Sequence, residues 1–143
     1  MTVSGNDLLF AKVKSNAIIP NKREEDAGYD IYACFDEDYI IIPAHTTKLI
    51  PTGIASALSK EYYIQIEERG STGSKGIKKS AGVIDSGYRN EWFIALSNVT
   101  NEDLIISKLS KEELINKYGK HDEEDDIFIS ENNQPYGINR MLI

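Results

Sequence analysis

The chain contains very little cysteine and histidine. Its single cysteine, Cys34, excludes a disulfide within the chain, which fits a reducing compartment. Cys34 follows a strand-like segment, so we expect a small buried apolar residue there. The two histidines, His45 and His121, have no cysteine partners, which argues against a zinc site. We interpret His45, in a Pro-Ala-His turn, as a surface residue and not as a catalyst.

Positive charge and long hydrophobic segments are also scarce. The formal net charge of −7 argues against a general nucleic-acid-binding protein, which would normally be basic. No apolar segment approaches the length needed to cross a membrane, and the N-terminus lacks the apolar core of a signal peptide. We therefore expect a cytoplasmic protein that binds neither membrane nor nucleic acid. Its 143 residues predict a single domain, 1–143.

What the chain has in abundance is short segments of alternating apolar and polar residues. They are bounded by glycine, proline and charged residues, as β-strands are. The predicted strands are 8–14, 29–33, 39–42, 45–50, the segment after 52–55, 62–68 and 92–97. Many short strands with turns between them are typical of a sandwich, a barrel or a jelly roll. The sequence therefore predicts an all-β fold.

One convincing helix lies in the second half of the chain, at 110–119. Ser110 and Glu113 form a capping box, and Gly119 is a natural C-cap. The acidic residues 120–126 that follow are expected to form an exposed loop. Beyond them we predict a short strand at 127–129 and a strand-like apolar segment from 138 to 143.

The stretch from Ala81 to Asn98 reads as strand, turn and strand. Asp85-Ser86-Gly87 is turn chemistry, and Trp92, Ile94 and Leu96 share one face of the second strand. Asp85 therefore lies at the mouth of a predicted hairpin, three residues before Tyr88. This arrangement could place a general base beside an aromatic platform. The alternative is an aspartate that only caps a turn.

Arginine, small residues and hydroxyl groups follow the predicted strand 62–68 directly, in the segment 69–73. Backbone N–H groups of Gly70-Ser71-Thr72-Gly73 could approach an anion closely, and Arg69 is a planar donor that suits phosphate oxygens. Three lysines nearby, Lys75, Lys78 and Lys79, add positive charge. A flexible glycine-serine loop is the alternative interpretation.

A third stretch, Ala27-Gly28-Tyr29-Asp30-Ile31-Tyr32-Ala33, is a predicted strand. Tyr29, Ile31 and Ala33 share one face, so Asp30 points to the other face with Tyr32. On its own, Asp30 could be a surface residue.

Together the three stretches resemble the first three motifs of the trimeric dUTP diphosphatases (dUTPases). AGYDIYA resembles the first motif, RGSTG the second and AGVIDSGYRNEW the third, and the resemblance covers residues 8–98. The resemblance implies a jelly-roll-like (β-clip) fold and a homotrimer. It also implies hydrolysis of dUTP to dUMP and pyrophosphate with Mg²⁺ on the triphosphate, a step in pyrimidine nucleotide metabolism.

The same resemblance assigns roles to individual residues. Asp85 would deprotonate the water that attacks the α-phosphorus, and Tyr88 would lie under the deoxyribose. Asp30 would lie near the Mg²⁺ and reach it through water. The uracil would be bound by main-chain groups of Gly82, Val83, Ile84 and Phe93, and the phosphates by Arg69, Gly70, Ser71 and Thr72.

Several features depart from the family pattern. Gly70 stands where the family usually has a serine, and Asn90 where it commonly has a glycine. A fourth motif carrying a glutamine and a fifth, glycine-rich arm would normally follow, and neither is recognised here. We therefore expect a truncated or unusual C-terminus that lacks phosphate contacts and the lid.

Two alternatives remain. One is a dCTP deaminase, which shares the fold. The other is a non-catalytic relative that binds a protein regulator through residues 100–137.

Overall fold

The computed structural model describes residues 8–68 and 70–119, with Ser71 and Thr72 by their backbone only, and the backbone of the strands 127–129 and 137–142. Twelve strands and two helices are found in these residues. The strands are β1 (Leu9–Lys12), β2 (Tyr29–Tyr32), β3 (Tyr39–Ile42), β4 (Thr47–Pro51), β5 (Ile54–Ala57), β6 (Ile64–Glu68), β7 (Ile77–Lys79), β8 (Val83–Ile84), β9 (Phe93–Asn98), β10 (Leu104–Ser107), β11 (Ile127–Ile129) and β12 (Gly137–Leu142); the helices are α1 (Gly70–Gly73) and α2 (Lys111–Tyr118).

The strands form four small sheets. Their strand orders are β1-β5, β11-β10-β3, β2-β12-β6-β8 and β4-β9-β7. All pairings are antiparallel except that of β10 with β11. The all-β prediction is confirmed. No helix in the described part of the chain is long and apolar enough to span a membrane.

The core is built from the inward faces of these sheets, and Trp92 is its largest fully buried side chain. The Trp92 ring packs edge-on against Phe10 of β1, with ring centroids 5.5 Å apart. Its indole N–H donates to the Ser56 hydroxyl of β5 at 3.1 Å. Its backbone N–H donates to the carbonyl of Ile54 at 2.8 Å, and its carbonyl accepts from the Thr52 hydroxyl at 2.8 Å. Trp92 therefore joins the start of β9 to β5 and β1.

The turn between β3 and β4 is fastened to the loop that follows β9. The buried Asn98 side chain donates to the carbonyls of Ile42 at 3.1 Å and Glu102 at 2.6 Å. His45 adopts a left-handed backbone, with φ of 58°, and its Nε2 lies 2.7 Å from Asn101 Oδ1. His45 is exposed, which agrees with its interpretation as a surface residue.

Helix α2 has the predicted ends and is held to β3. The Ser110 hydroxyl accepts from the Glu113 N–H at 3.1 Å, and the Gly119 N–H donates to Ile115 with Gly119 at φ 88°. Leu114 is the buried residue of the helix. Asp38 accepts hydrogen bonds from Lys117 and from the Tyr118 hydroxyl, both at 2.6 Å.

Most predicted strands are present, but their ends differ. β1 buries Phe10 and exposes Leu9 and Ala11. In β6, Ile64 and Ile66 are buried, whereas Tyr62 lies before the strand and is 39% exposed. Tyr29, Ile31 and Ala33 face the core as predicted, and so do Trp92, Ile94 and Leu96. Cys34 is buried, as expected, and burial raises the pKa of its thiol.

Three elements were not predicted: the strands β7 and β10 and the helical turn α1. The short strand at 127–129 is confirmed as β11, and the C-terminal apolar segment forms β12. The predicted acidic loop at 120–126 lies outside the described residues. Neither Gly87 nor Asn90 has a positive φ, so this turn does not need a residue in the left-handed conformation.

Replacing Ser56 by alanine should destabilise the protein, because the buried Trp92 indole N–H would lose its acceptor. We expect the free energy of unfolding to fall by about 1–3 kcal/mol, measured by urea denaturation. Trp92→Phe provides the matched background, since it has no N–H to satisfy. If Ser56→Ala costs as much in the Trp92→Phe background as in the wild type, the hydrogen bond is not the cause.

The contact between α2 and β3 should depend on pH. The hydrogen bonds from Lys117 and then Tyr118 lower the pKa of Asp38 below its ordinary 3.8, and Asp38 in turn raises the pKa of Lys117 above its ordinary 10.5. A lowered carboxyl pKa stabilises the folded state above pH 3.8 and stops doing so as the pH falls through the lowered value. The Lys117 contribution is present below pH 10.5 and is lost as the pH rises through its raised pKa.

Asp38→Asn tests this pH dependence. The difference in unfolding free energy between wild type and variant should be largest near neutral pH and should shrink as the pH falls below the ordinary Asp38 pKa. Denaturant titrations at neutral and acid pH measure it. A difference that stays constant on acidification would contradict the ionic contact.

Candidate active site

The loop that carries Asp85 is folded by its own hydrogen bonds. The Tyr88 N–H donates to the Asp85 carbonyl at 3.1 Å, and the Tyr88 hydroxyl donates to the Glu91 carbonyl at 3.0 Å. The Arg89 guanidinium donates to the Ser86 carbonyl at 2.5 Å. The Asp85 side chain is exposed on this loop. The arrangement therefore presents a carboxylate to solvent on a hydrogen-bonded support.

The two arms of the predicted hairpin do not pair with each other. Val83 and Ile84 of β8 lie opposite Gln65 and Ile64 of β6, whereas β9 pairs with β4 and β7. The prediction of a paired hairpin is therefore wrong, because each arm joins a different sheet. Among the described strands β8 is the last in its sheet, and an edge strand presents N–H and C=O groups along one side. A planar ligand between the arms could hydrogen-bond this main chain.

The side chains along the two arms differ in direction. Val83 is 61% exposed, Phe93 47% and Tyr88 38%. Ile84 instead packs against the core, so only its main chain is available to a ligand. An exposed apolar side chain on each arm and the Tyr88 ring thus surround the opening between β8 and β9.

Gly82 lies against β6 and beneath a lysine side chain. The Ile66 N–H donates to the Gly82 carbonyl at 2.7 Å, and a Cβ atom at position 82 would lie 2.7 Å from Lys79 Nζ. Lys79 Nζ is 3.5 Å from Glu67 Oε1. The hydrogen bond from Gln65 and the charge of Lys79 hold the pKa of Glu67 below its ordinary 4.5. A side chain at position 82 would therefore displace the end of this lysine side chain, at a small cost because that end is flexible.

The segment predicted as a phosphate-binding loop forms the helical turn α1. The Ser74 N–H donates to the Gly70 carbonyl at 3.1 Å, and Lys78 Nζ donates to the Gly73 carbonyl at 3.2 Å. Apart from the adjacent residues and the backbone of α1, no atom of the described residues lies within 4 Å of where a Gly70 Cβ would stand. Arg69 lies outside the described residues.

Asp30 lies in β2, which is at the opposite edge of this sheet from β8 among the described strands. The register places both Asp30 of β2 and Glu67 of β6 opposite Arg140 of β12. The Asp30 backbone N–H donates to the Asn21 carbonyl at 2.8 Å. The described residues contain no group of three or more His, Cys, Asp or Glu side chains that could hold a metal ion.

The sheet β2-β12-β6-β8 thus carries all three sequence motifs, but it does not bring all of them together. Gly82 and the end of β6 are neighbours, and α1 follows β6 directly. Asp30 and Asp85 instead lie at opposite edges of the sheet, and four adjacent strands span about 14 Å. Sequence reasoning missed the pair Glu67 and Lys79. The sequence could have indicated this pair. Once 77–79 is recognised as a strand, Lys79 can be placed beside Glu67 of β6.

Comparison with known proteins identifies relatives. The family model described as dUTPase matches residues 14–111. The deoxyuridine 5'-triphosphate nucleotidohydrolase of Leptospira interrogans is 36% identical over 103 residues, which cover 69% of this chain and 70% of that protein. The EIAV dUTPase structure has a TM-score of 0.64 at 19% identity and covers 94% of this chain and 85% of its own.

A variant of the dUTPase from phage phi11 of S. aureus has a TM-score of 0.60 at 26% identity. The match covers 66% of this chain and 61% of the phage chain. The phage structure is described as showing the coordination of a structural Mg(II) ion. The EIAV dUTPase supports the jelly-roll-like fold that the resemblance implied.

Proposed function

Because the chain belongs to the dUTPase family, we propose that it hydrolyses dUTP to dUMP and pyrophosphate. The observation that carries the proposal is the opening between β8 and β9. It combines unpaired main chain on the described edge of β8, the ring of Tyr88 and the exposed carboxylate of Asp85. The main chain, the ring and the carboxylate are the features that a pyrimidine, a sugar and an attacking water require, respectively.

In the proposed complex the uracil lies between the two arms. Main-chain groups of Gly82, Val83, Ile84 and Phe93 bind its edge, and a slot of this kind selects by hydrogen-bond pattern. Tyr88 lies under the deoxyribose, and its ring is already held by the hydrogen bond to Glu91. This places the phosphates at the Asp85 end of the loop.

Asp85 acts as the general base that takes a proton from the attacking water. The carboxylate is exposed, so a water molecule can reach it without displacing protein. Phosphoryl transfer depends mainly on positioning and on neutralising charge, which an acidic protein must supply locally. We assign this to Arg69, Gly70, Ser71 and Thr72, at the end of β6.

The carboxylates present fit a magnesium ion that the nucleotide carries. Mg²⁺ keeps several waters and uses one or two carboxylates with substrate phosphates. Asp30 offers a single carboxylate, and no larger acidic cluster occurs in the described residues. Asp30 would hold a water of the ion. The bound ion would neutralise charge on the phosphates.

We further propose that the chain acts as a homotrimer. Asp30 and Asp85 lie at opposite edges of one sheet, so a second copy is needed to bring both to one nucleotide. The outer face of β4 and β9 is suited to subunit contact. Leu49, 60% exposed, lies opposite Ala95, and Pro51 lies opposite the exposed Phe93.

The other two candidates are weaker. A dCTP deaminase would act on an amino group, and comparing turnover of dUTP and dCTP separates the two activities. Binding of a protein regulator through 100–137 stays a prediction. In that segment β10 and α2 are fixed to β3, so a partner would meet a preformed surface at α2.

Asp85→Asn should abolish turnover while leaving nucleotide binding intact. Loss of a general base costs about 10²–10⁴-fold in kcat. Pyrophosphate release from dUTP with Mg²⁺ measures turnover, and calorimetry with dUMP measures binding. Asp36→Asn, at an exposed aspartate between β2 and β3, is the matched control. Near-normal kcat in Asp85→Asn would exclude Asp85 as the base.

Leu49→Asp should break the trimer, because it places a charge on an apolar contact face. Sedimentation velocity should show the monomer, and turnover of dUTP should fall with it since each site would be incomplete. Val13→Asp, at a residue that is also about half exposed, is the control and should stay trimeric. A monomeric Leu49→Asp protein with full activity would show that one chain suffices for catalysis.

A further inference from the structure

Lys79 lies beside Gly82, whose main chain is proposed to bind the base, and the proposed chemistry so far gives its side chain no role. It ends β7, opposite Leu96 of β9, and its backbone N–H donates to Glu68 Oε1 at 3.1 Å. The side chain crosses Gly82, with Nζ and Cδ at 2.7 Å and 3.5 Å from where a Cβ would stand. Only a quarter of the side chain is exposed. The ammonium group thus stands beside Gly82 and close to Glu67 of β6.

A short chain of polar groups fixes this ammonium group. The Tyr63 hydroxyl donates to Gln65 Oε1 at 3.3 Å, and Gln65 Nε2 donates to Glu67 Oε1 at 2.7 Å. The same Glu67 oxygen lies 3.5 Å from Lys79 Nζ. Gln65 and Glu67 lie on the outer face of β6, because Ile64 and Ile66 face the core, and Tyr63 directly precedes the strand. Glu67 therefore holds the lysine beside Gly82.

The direction of the bound nucleotide follows from the loop. Asp85 must face the phosphates and Tyr88 the sugar, whereas Gly82 lies three residues before Asp85, about 10 Å back along an extended strand. The part of the pyrimidine that reaches Gly82 is then the edge farthest from the sugar. In uracil that edge carries a carbonyl oxygen at C4, and in cytosine it carries an amino group.

We propose that Lys79 determines base specificity by donating a hydrogen bond to the C4 carbonyl of the pyrimidine. This inference rests on the proposed function, because it takes the base to lie between β8 and β9. An ammonium group has three donors and no acceptor, so it cannot bind the amino group of cytosine. The same residue thus favours a keto pyrimidine and rejects an amino one.

Three variants test the proposal. Lys79→Met removes the donor and keeps the length of the side chain, Lys79→Gln adds an acceptor, and Lys79→Arg keeps a donor-only cation. Turnover of dUTP and dCTP and calorimetric binding of dUMP and dCMP are measured for each. Lys60→Met, on an exposed turn, controls for the loss of one positive charge. Thermal unfolding checks that each variant folds.

Lys79→Met should lower kcat/KM for dUTP about tenfold, mainly through KM, because one hydrogen bond to a charged donor is lost. Values for dCTP and dCMP should rise, because the group that rejects the cytosine amino group is gone, so the preference for uracil narrows. Lys79→Gln should raise dCMP binding, and Lys79→Arg should keep the preference. Lys60→Met should behave as wild type.

An unchanged ratio of uracil to cytosine binding in folded Lys79→Met would overturn the proposal while leaving dUTP hydrolysis in place. A wild type that binds dUMP without hydrolysing dUTP would refute the proposed catalysis, and the binding ratios would still decide the role of Lys79. A wild type that binds neither nucleotide would overturn both.

Discussion

The burial of Trp92 is the constraint on which the site depends. Its ring contacts β1, its indole N–H bonds to β5, and its main chain bonds to both ends of the turn before β5. The loop from Asp85 to Glu91 connects β8 to Trp92. Gly53, in the turn before β5, also contacts this loop, because its N–H donates to Glu91 Oε2 at 3.2 Å. The loop that carries Asp85 is therefore exposed and is fixed by hydrogen bonds at its Glu91 end.

The sequence predicted elements best where one face is buried and the other is not. Trp92, Ile94 and Leu96 alternate cleanly, and β9 was predicted with its correct face. β10 escaped prediction because Leu104, Ile105 and Ile106 are all buried and show no alternation. β7 escaped because two of its three residues are lysines, and only Ile77 enters the core. The alternation of apolar and polar residues predicts half-buried strands well. It predicts fully buried strands and short edge strands poorly.

The candidate site shows the same limit. Asp85, Tyr88 and Gly82 could be selected from turn chemistry and from the order of the motifs. The divergence of β8 and β9 into separate sheets could not, because it depends on β4, β6 and β7 offering better partners than the arms offer each other. Likewise, the position of Asp30 at the opposite sheet edge depends on β12, which is distant in sequence. Residue types follow from sequence, whereas distances between motifs follow from strand order.

Among the described strands, β10 and β11 form the one parallel pair. Parallel neighbours need a crossover of a dozen or more residues, and here α2 lies within that crossover. The helix is therefore the return path of a β-α-β unit inside an otherwise antiparallel arrangement of the described strands. The crossover must be about a dozen residues long or longer, but no comparable rule limits its maximum length. Insertions after α2 would leave the sheet unchanged, whereas a deletion that cut the crossover below about a dozen residues would detach β11 and leave β10 paired only with β3.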